Sequence, residues 1–218
     1  MSGNFRALNF SSADLGKDIT LLLMFEPPKN GVLFKDLFPL IDKRLSEVLT
    51  FTSAGISAAT VEYTADTGFL VPQVHSGNLV AASNAQRCQT GQTCTLMTKE
   101  DQSSNYLTEA VAGDPGALQC VNKAARPAEI GVGFFNKAGN KIEPTLMWKD
   151  IAVGSTLAAQ LTPKLKIYAV SDYKATELIR GNIQSPLLFE ENLIALPSFS
   201  EWTVSIDLAT KQVVISKD

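Results

Sequence analysis

The sequence predicts an all-β protein, an antiparallel β-sandwich with at most one or two short helices. Three observations carry that expectation. Apolar residues recur with a period of two near the C-terminus, where Trp202, Val204, Ile206 and Leu208 alternate with Thr203, Ser205 and Asp207. Period two marks a strand with one buried face, because successive side chains leave a pleated backbone on opposite sides. Short apolar runs are separated by clusters of Gly, Pro, Asn, Asp and Ser along the whole chain, the punctuation of hairpins. Of the 218 residues, 45% are hydrophobic and only 19% charged. The first figure excludes a disordered chain, and the second suits sheets better than a charge-laced helical bundle.

In chain order, strands are expected over residues 19–25, 59–63, 69–73, 79–83, 92–97, 118–123, 130–135 and 145–148. Turn residues stand between them at 27–31, 64–68, 76–78, 113–116, 137–140 and 153–155. Residues 156–170 alternate again, broken at Pro163. Residues 202–208 and 213–215 form a terminal hairpin through a turn at 209–211. Two stretches are less plain. Over 36–51, Leu37, Ile41, Leu45, Val48 and Leu49 have helical spacing, yet Leu45, Leu49 and Phe51 also share a strand face. Period alone leaves both open. Residues 186–197, bounded by Pro186 and Pro197, predict one short helix with Glu190 and Glu191 in solvent. No βαβ alternation argues for a parallel doubly wound sheet. No linker divides the chain, so a single domain over 1–218 is expected.

Charge and motif content exclude several function classes. Nineteen basic against 22 acidic residues give a net charge of −3, so no cationic field draws nucleic acid or an anionic bilayer. The apolar run at 19–25 is too short to span a membrane. Residues 1–10 have no basic stretch followed by an apolar one, and the chain reads as cytoplasmic. Three cysteines, Cys88, Cys94 and Cys120, make an odd count that suits buried thiols in a reducing compartment; a Cys88–Cys94 disulfide is the minor alternative. The Asn9-Phe10-Ser11 pattern is then idle. His75 is the only histidine, so a multi-histidine zinc site is excluded by count, and any histidine-dependent dyad would have to use it. Nucleophile-elbow, dinucleotide and phosphate-loop motifs are absent. Gly131-Val132-Gly133 lies in an apolar strand, where glycine serves close sheet packing.

Candidate binding residues remain. Trp148, Lys149 and Asp150 place an aromatic ring, a cation and an anion together at a strand end, a set able to stack and hydrogen-bond a planar or sugar-like ligand. The plainer reading is a core tryptophan followed by two solvated charges. Tyr173 and Arg180, on the polar stretch after Val170, could rim a site or belong to an ordinary connection. His75, Lys149 and Arg180 are candidates to fix an ionised phenol or carboxylate.

Four stretches carry a resemblance: NLVAASNAQRCQTGQTCTL at 78–96, EIGVGFFN at 129–136, LMWKDIAVGST at 146–156 and KIYAVSDYKATELIRG at 166–181. Together they resemble a family of basidiomycete fruiting-body proteins, over most of the chain from about residue 19. Most of that family has no assigned role; likeness to one pigmented member implies a small pigment carried noncovalently by a cytosolic, dimeric chromoprotein, and the family resemblance implies extended backbone at 36–51. It brings no defined set of ligand contacts. The expected function is a non-enzymatic binding protein for a small aromatic molecule; the alternative is a cytosolic fungal lectin or defence protein that binds glycans. The expected partners are a small-molecule ligand and a second copy of the chain, with neither nucleic acid nor membrane.

Overall fold

The computed structural model describes residues 5–25, 37–39, 48–75, 79–160, 164–170 and 185–218. The chain enters through β1 (Phe5–Ala13), β2 (Ile19–Phe25), β3 (Leu37–Pro39), β4 (Val48–Phe51), β5 (Ile56–Thr64) and β6 (Thr67–His75). Then follow β7 (Leu79–Arg87), β8 (Gln92–Thr98), β9 (Asn105–Leu107), β10 (Val111–Ala112), β11 (Leu118–Asn122) and β12 (Ala128–Phe135). It ends with β13 (Ile142–Ile151), β14 (Thr156–Ala159), β15 (Lys164–Val170), β16 (Leu187–Asn192), β17 (Phe199–Ile206) and β18 (Val213–Lys217). The protein is all-β and sandwich-like; among the described residues the one helical element is a 3-10 turn, Leu193–Ala195. No described helix is long and apolar enough to cross a membrane.

The strands form four sheets: β18-β17-β1-β5, β16-β15-β2-β4, β3-β13-β12-β6-β7, and β10-β8-β11-β14 with β9 on β8. Sequence alternation decides which faces meet. From the first sheet, Leu8 and Phe10 of β1, Val61 and Tyr63 of β5, and Trp202 and Val204 of β17 point inward. They meet Leu21 and Leu23 of β2, Phe51 of β4 and Leu165 and Ile167 of β15 in one apolar core. The other two sheets enclose a second core, in which Phe69, Ile130, Val132, Leu146 and Trp148 face Cys94, Leu96, Leu118, Cys120 and Leu157. One chain therefore builds two sandwiches. The second, apart from β3, comes from the middle of the sequence; the first is assembled from both ends.

Adjacent side chains of β12 couple the two. Phe134 enters the first core, edge-on to Tyr63 at 5.1 Å between ring centroids. Phe135 points the other way, against Leu70 and Ile142. The Thr64 hydroxyl donates to the Phe135 carbonyl, and the Phe135 N–H donates to the Asp66 carbonyl at 2.7 Å. The crossing from β5 to β6 is thus fastened to β12. Arg87 adds a clasp: Nε lies 2.8 Å from Asp66 Oδ2, Nη2 donates to the Gly139 carbonyl at 2.7 Å, and the guanidinium sits over the Phe135 ring. Burial pushes the Tyr63 hydroxyl up to about 12, with nearby Arg6 pulling partly back.

Most expected strands are present, with longer ends. Two of the pairings are parallel, β1 with β17 and β8 with β11. Strand β1 was not anticipated. At 36–51, β3 and β4 are extended, and residues 40–47 lie outside the described residues. The helix expected over 186–197 is overturned. Residues 187–192 form β16, which pairs antiparallel with β15. Cross-strand charge favours the strand, because Glu190 pairs with both Lys164 and Lys166, and Phe189 packs edge-on against Trp202 at 4.6 Å. Lys164 first, then Lys166, hold the Glu190 carboxyl below the usual range. Leu208, expected on the inner face, is 83% exposed, because the strand ends at Ile206 before reaching it.

The glycines of β12 permit close packing, as their setting in an apolar strand suggests. A Cβ on Gly133 would lie 2.0 Å from the Glu143 carbonyl oxygen, and one on Gly131 would lie 2.7 Å from Leu70 Cδ1. Backbone cannot yield as a side-chain tip can. Gly133→Ala is expected to lower the urea-unfolding free energy by about 1–3 kcal/mol through overpacking, more than Gly131→Ala does. A second expectation concerns alkali. A hydroxyl whose folded pKa is raised contributes stability that is complete below its unfolded value and falls as pH rises toward the folded one. The unfolding midpoint should therefore drop between about pH 10 and 12, and Tyr63→Phe should flatten that part of the profile.

Candidate functional site

The parallel pairing of β1 and β17 places the C-terminal ends of both strands side by side, in register from Ala7↔Phe199 to Ser12↔Val204. Their connections then diverge. The 14–18 loop crosses to the opposite sheet and β2, whereas the 207–212 turn doubles back into β18. Adjacent parallel strands whose connections part in this way leave a crevice between them, the geometry behind binding clefts at switch points in open sheets. A recess of about 560 Å³ lies there, lined by Ala13, Asp14, Leu15, Gly16, Lys17, Ser205, Ile206, Leu208 and Lys211. Its size falls within the roughly 300–1,000 Å³ typical of small-molecule sites.

The floor is apolar. Leu15 belongs to the first core, and Ile206 packs against it. Both walls are held by local hydrogen bonds. On one side, the Asp14 N–H donates to the Gly55 carbonyl at 3.0 Å, and the Gly55 N–H returns to Asp14 Oδ1 at 2.9 Å. The Gly16 N–H donates to the Ser53 carbonyl at 2.7 Å, and the Ser53 N–H to Asp18 Oδ1 at 2.8 Å. Gly16 has φ +72°, a backbone region that a Cβ disfavours. On the other side, Asp207 Oδ1 accepts from the N–H groups of Ala209 at 2.9 Å and Thr210 at 2.7 Å. The Lys211 N–H closes the turn on the Asp207 carbonyl at 2.8 Å. The Thr210 amide and hydroxyl, and then the Ala209 amide, hold the Asp207 carboxyl below the usual range.

The charges of the recess are uneven. Lys17 and Asp14 line it from the 14–18 loop and Lys211 from the 207–212 turn, two cations to one anion among the lining side chains. Neither lysine has a hydrogen-bonding or ion-pairing partner for its amine among the described residues. Leu208, at the lip, is the exposed apolar side chain noted above, and Ile56, 85% exposed, stands across from Ala13 in the sheet register.

The structure does not gather the sequence candidates at this recess. Trp148 is 3% exposed and packed in the second core beside Leu146, so it offers no open face for stacking a planar molecule or a sugar. Lys149 is half-buried, and Asp150 is exposed at φ +53° near the end of β13. His75 ends β6, and the antiparallel registers place that strand end at the same end of the third sheet as Asp150, with β12 between them. Tyr173 and Arg180 lie outside the described residues. The recess residues were missed because each looks ordinary alone; the one available signal was Leu208, an apolar residue between an aspartate and a turn.

A second hollow, of about 570 Å³, is lined by Lys99, Glu100, Asp101 and Tyr106, which belong to the β8–β9 connection and its base. Its lining is three charged residues and one tyrosine. In the second core, Cys88, Cys94 and Cys120 are all buried and unbridged, with Cys94 and Cys120 in register on β8 and β11. Hydrogen bonding to Cys94, then burial, push the Cys88 thiol up, and hydrogen bonding to Cys120 does the same for Cys94. Thiols kept protonated are poor nucleophiles, and no group of described residues is arranged to hold a metal. No protein family, curated protein or solved structure matches the chain.

The turn that carries Lys211 has a pH signature. A depressed carboxyl stabilises its contacts above its unfolded pKa and loses them as pH falls through the folded value. The Ala209 and Thr210 amide resonances should shift together in NMR spectra on acidification, with a midpoint below the ordinary aspartate range. Asp207→Ala should abolish that titration and reduce the chemical-shift dispersion of the turn.

Proposed function

We propose that the protein is a noncatalytic binding protein for a small aromatic molecule, held noncovalently in the recess between the 14–18 loop and the 207–212 turn. One observation carries the reading: a concavity of ligand size has an apolar floor continuous with the core and walls already fixed by hydrogen bonds. Walls that need no ordering on binding spare the complex that entropic cost. The lone histidine, His75, ends a strand of the other sandwich. The resemblance to basidiomycete fruiting-body proteins agrees with a carried pigment. If the guest is coloured, its absorption arises from a chromophore desolvated against Leu15 and Ile206.

The test compares native and denatured protein purified from its source by absorption spectroscopy and intact mass. A bound guest adds mass to the native ion and is released on denaturation. Recombinant chain should bind naphthalene-sized probes in fluorescence titrations, and Ala13→Trp, which fills the recess from its wall, should weaken them at least tenfold without lowering the thermal unfolding midpoint. Equal binding by wild type and Ala13→Trp would remove the recess from the account.

A further inference from the structure

We infer that the recess selects aromatic monoanions, with a carboxylate, phenolate or sulfonate placed between the Lys17 and Lys211 amines and the ring laid over Leu15, Ile206 and Leu208. The inference rests on the binding role proposed above and adds the chemical class of the guest. Three observations point to it.

The first is local charge. Two lysines and one aspartate line the recess, and the two further carboxylates of its walls, Asp18 and Asp207, have Oδ1 committed to the amides of Ser53, Ala209 and Thr210. Asp14 Oδ1 already accepts the Gly55 N–H, whereas both amines are without a partner among the described residues. An anion would gain two charge-assisted contacts without breaking an existing pair. A second negative charge would approach Asp14, which limits the guest to one.

The second is geometry. Lys17 sits on the loop that leaves β1 and Lys211 on the turn that follows β17, on opposite walls over an apolar floor. Lys211 has φ +59°, a conformation a side chain adopts only where its surroundings impose it, and the Asp207-anchored turn imposes it here. The third is the lip. Leu208 is 83% exposed, and a ring lying on it would withdraw apolar area from water. The complement of this arrangement is a flat apolar body with one anionic end.

The experiment uses the full chain and three probes of matched size: 2-naphthoate, 2-naphthalenemethanol and 2-naphthylmethylammonium. Each is titrated by calorimetry at low and high salt. The expected order is anion, then neutral, then cation, with the anion about tenfold tighter than the neutral probe, the scale of two partly exposed ion pairs. Salt should narrow the gap by screening. In Lys17→Gln/Lys211→Gln the anion should fall to the affinity of the neutral probe, whose own binding is unchanged. Lys17→Glu/Lys211→Glu should prefer the cation. Equal binding of anion and neutral probe by wild type, or an anion preference that survives the glutamine double variant, overturns the inference and leaves aromatic binding standing. Failure of all three probes to bind wild type overturns both.

Discussion

The parallel seam between β1 and β17 is the constraint on which the rest depends. It joins one of the earliest described strands to one of the latest, and it stacks Phe10 and Trp202, at 6.3 Å between ring centroids, inside the first core. Without it, the first sheet would lose its centre, β17 and β18 would leave together, and the apolar faces of β2 and β15 would be open to water. The seam also decides where two loops emerge. In an antiparallel pair they would leave at opposite ends; in a parallel pair they leave together, and their divergence makes a hollow instead of a lid.

The seam has a cost. Ser12 and Ser200 turn their hydroxyls inward from β1 and β17, and the Trp202 Nε1 is likewise buried, none with a hydrogen-bond partner among the described residues. An unmade bond of this kind costs about 1–3 kcal/mol. Such groups are offset only where neighbouring burial is large, as it is beside Leu8, Phe10 and Val204. The recess lies at the end of these same strands, so its floor inherits the rigidity of the core.

Local pattern was legible, and distant pattern was not. Alternation disclosed β17 and β18, because Trp202 and Val204 stand two apart with polar residues between. The same rule applied to Leu146 and Trp148 places Trp148 on an inner face, and the structure seats it there; the charged Lys149 and Asp150 that follow drew attention to a strand end that the core had already claimed. Strand β1 was hidden because its inward positions, Leu8, Phe10 and Ser12, end in a polar residue. The expected helix at 186–197 failed because period and flanking prolines say nothing about Lys164 and Lys166, the cross-strand partners that draw Glu190 into a ladder. Lys17 and Lys211 lie near opposite ends of the sequence. Only the sheet order brings them to one hollow, and no spacing rule encodes sheet order.

The interleaved layout also sets an order of events during synthesis. Strands β6 to β14 leave the ribosome as one continuous run and can close their own interior while the remainder is still being made. Sequentially close pairings such as β6 with β7 and β12 with β13 form early, since little chain entropy opposes them. The other sandwich must wait for the later half of its strands, β15 to β18, and until then Phe134 projects from a finished neighbour as a ready surface on which the late strands can dock. The hollow at the end of β1 has only one wall until residues 205–211 arrive. The hollow is therefore completed last, and a nascent or truncated chain would be folded in its middle and unfinished at its margin.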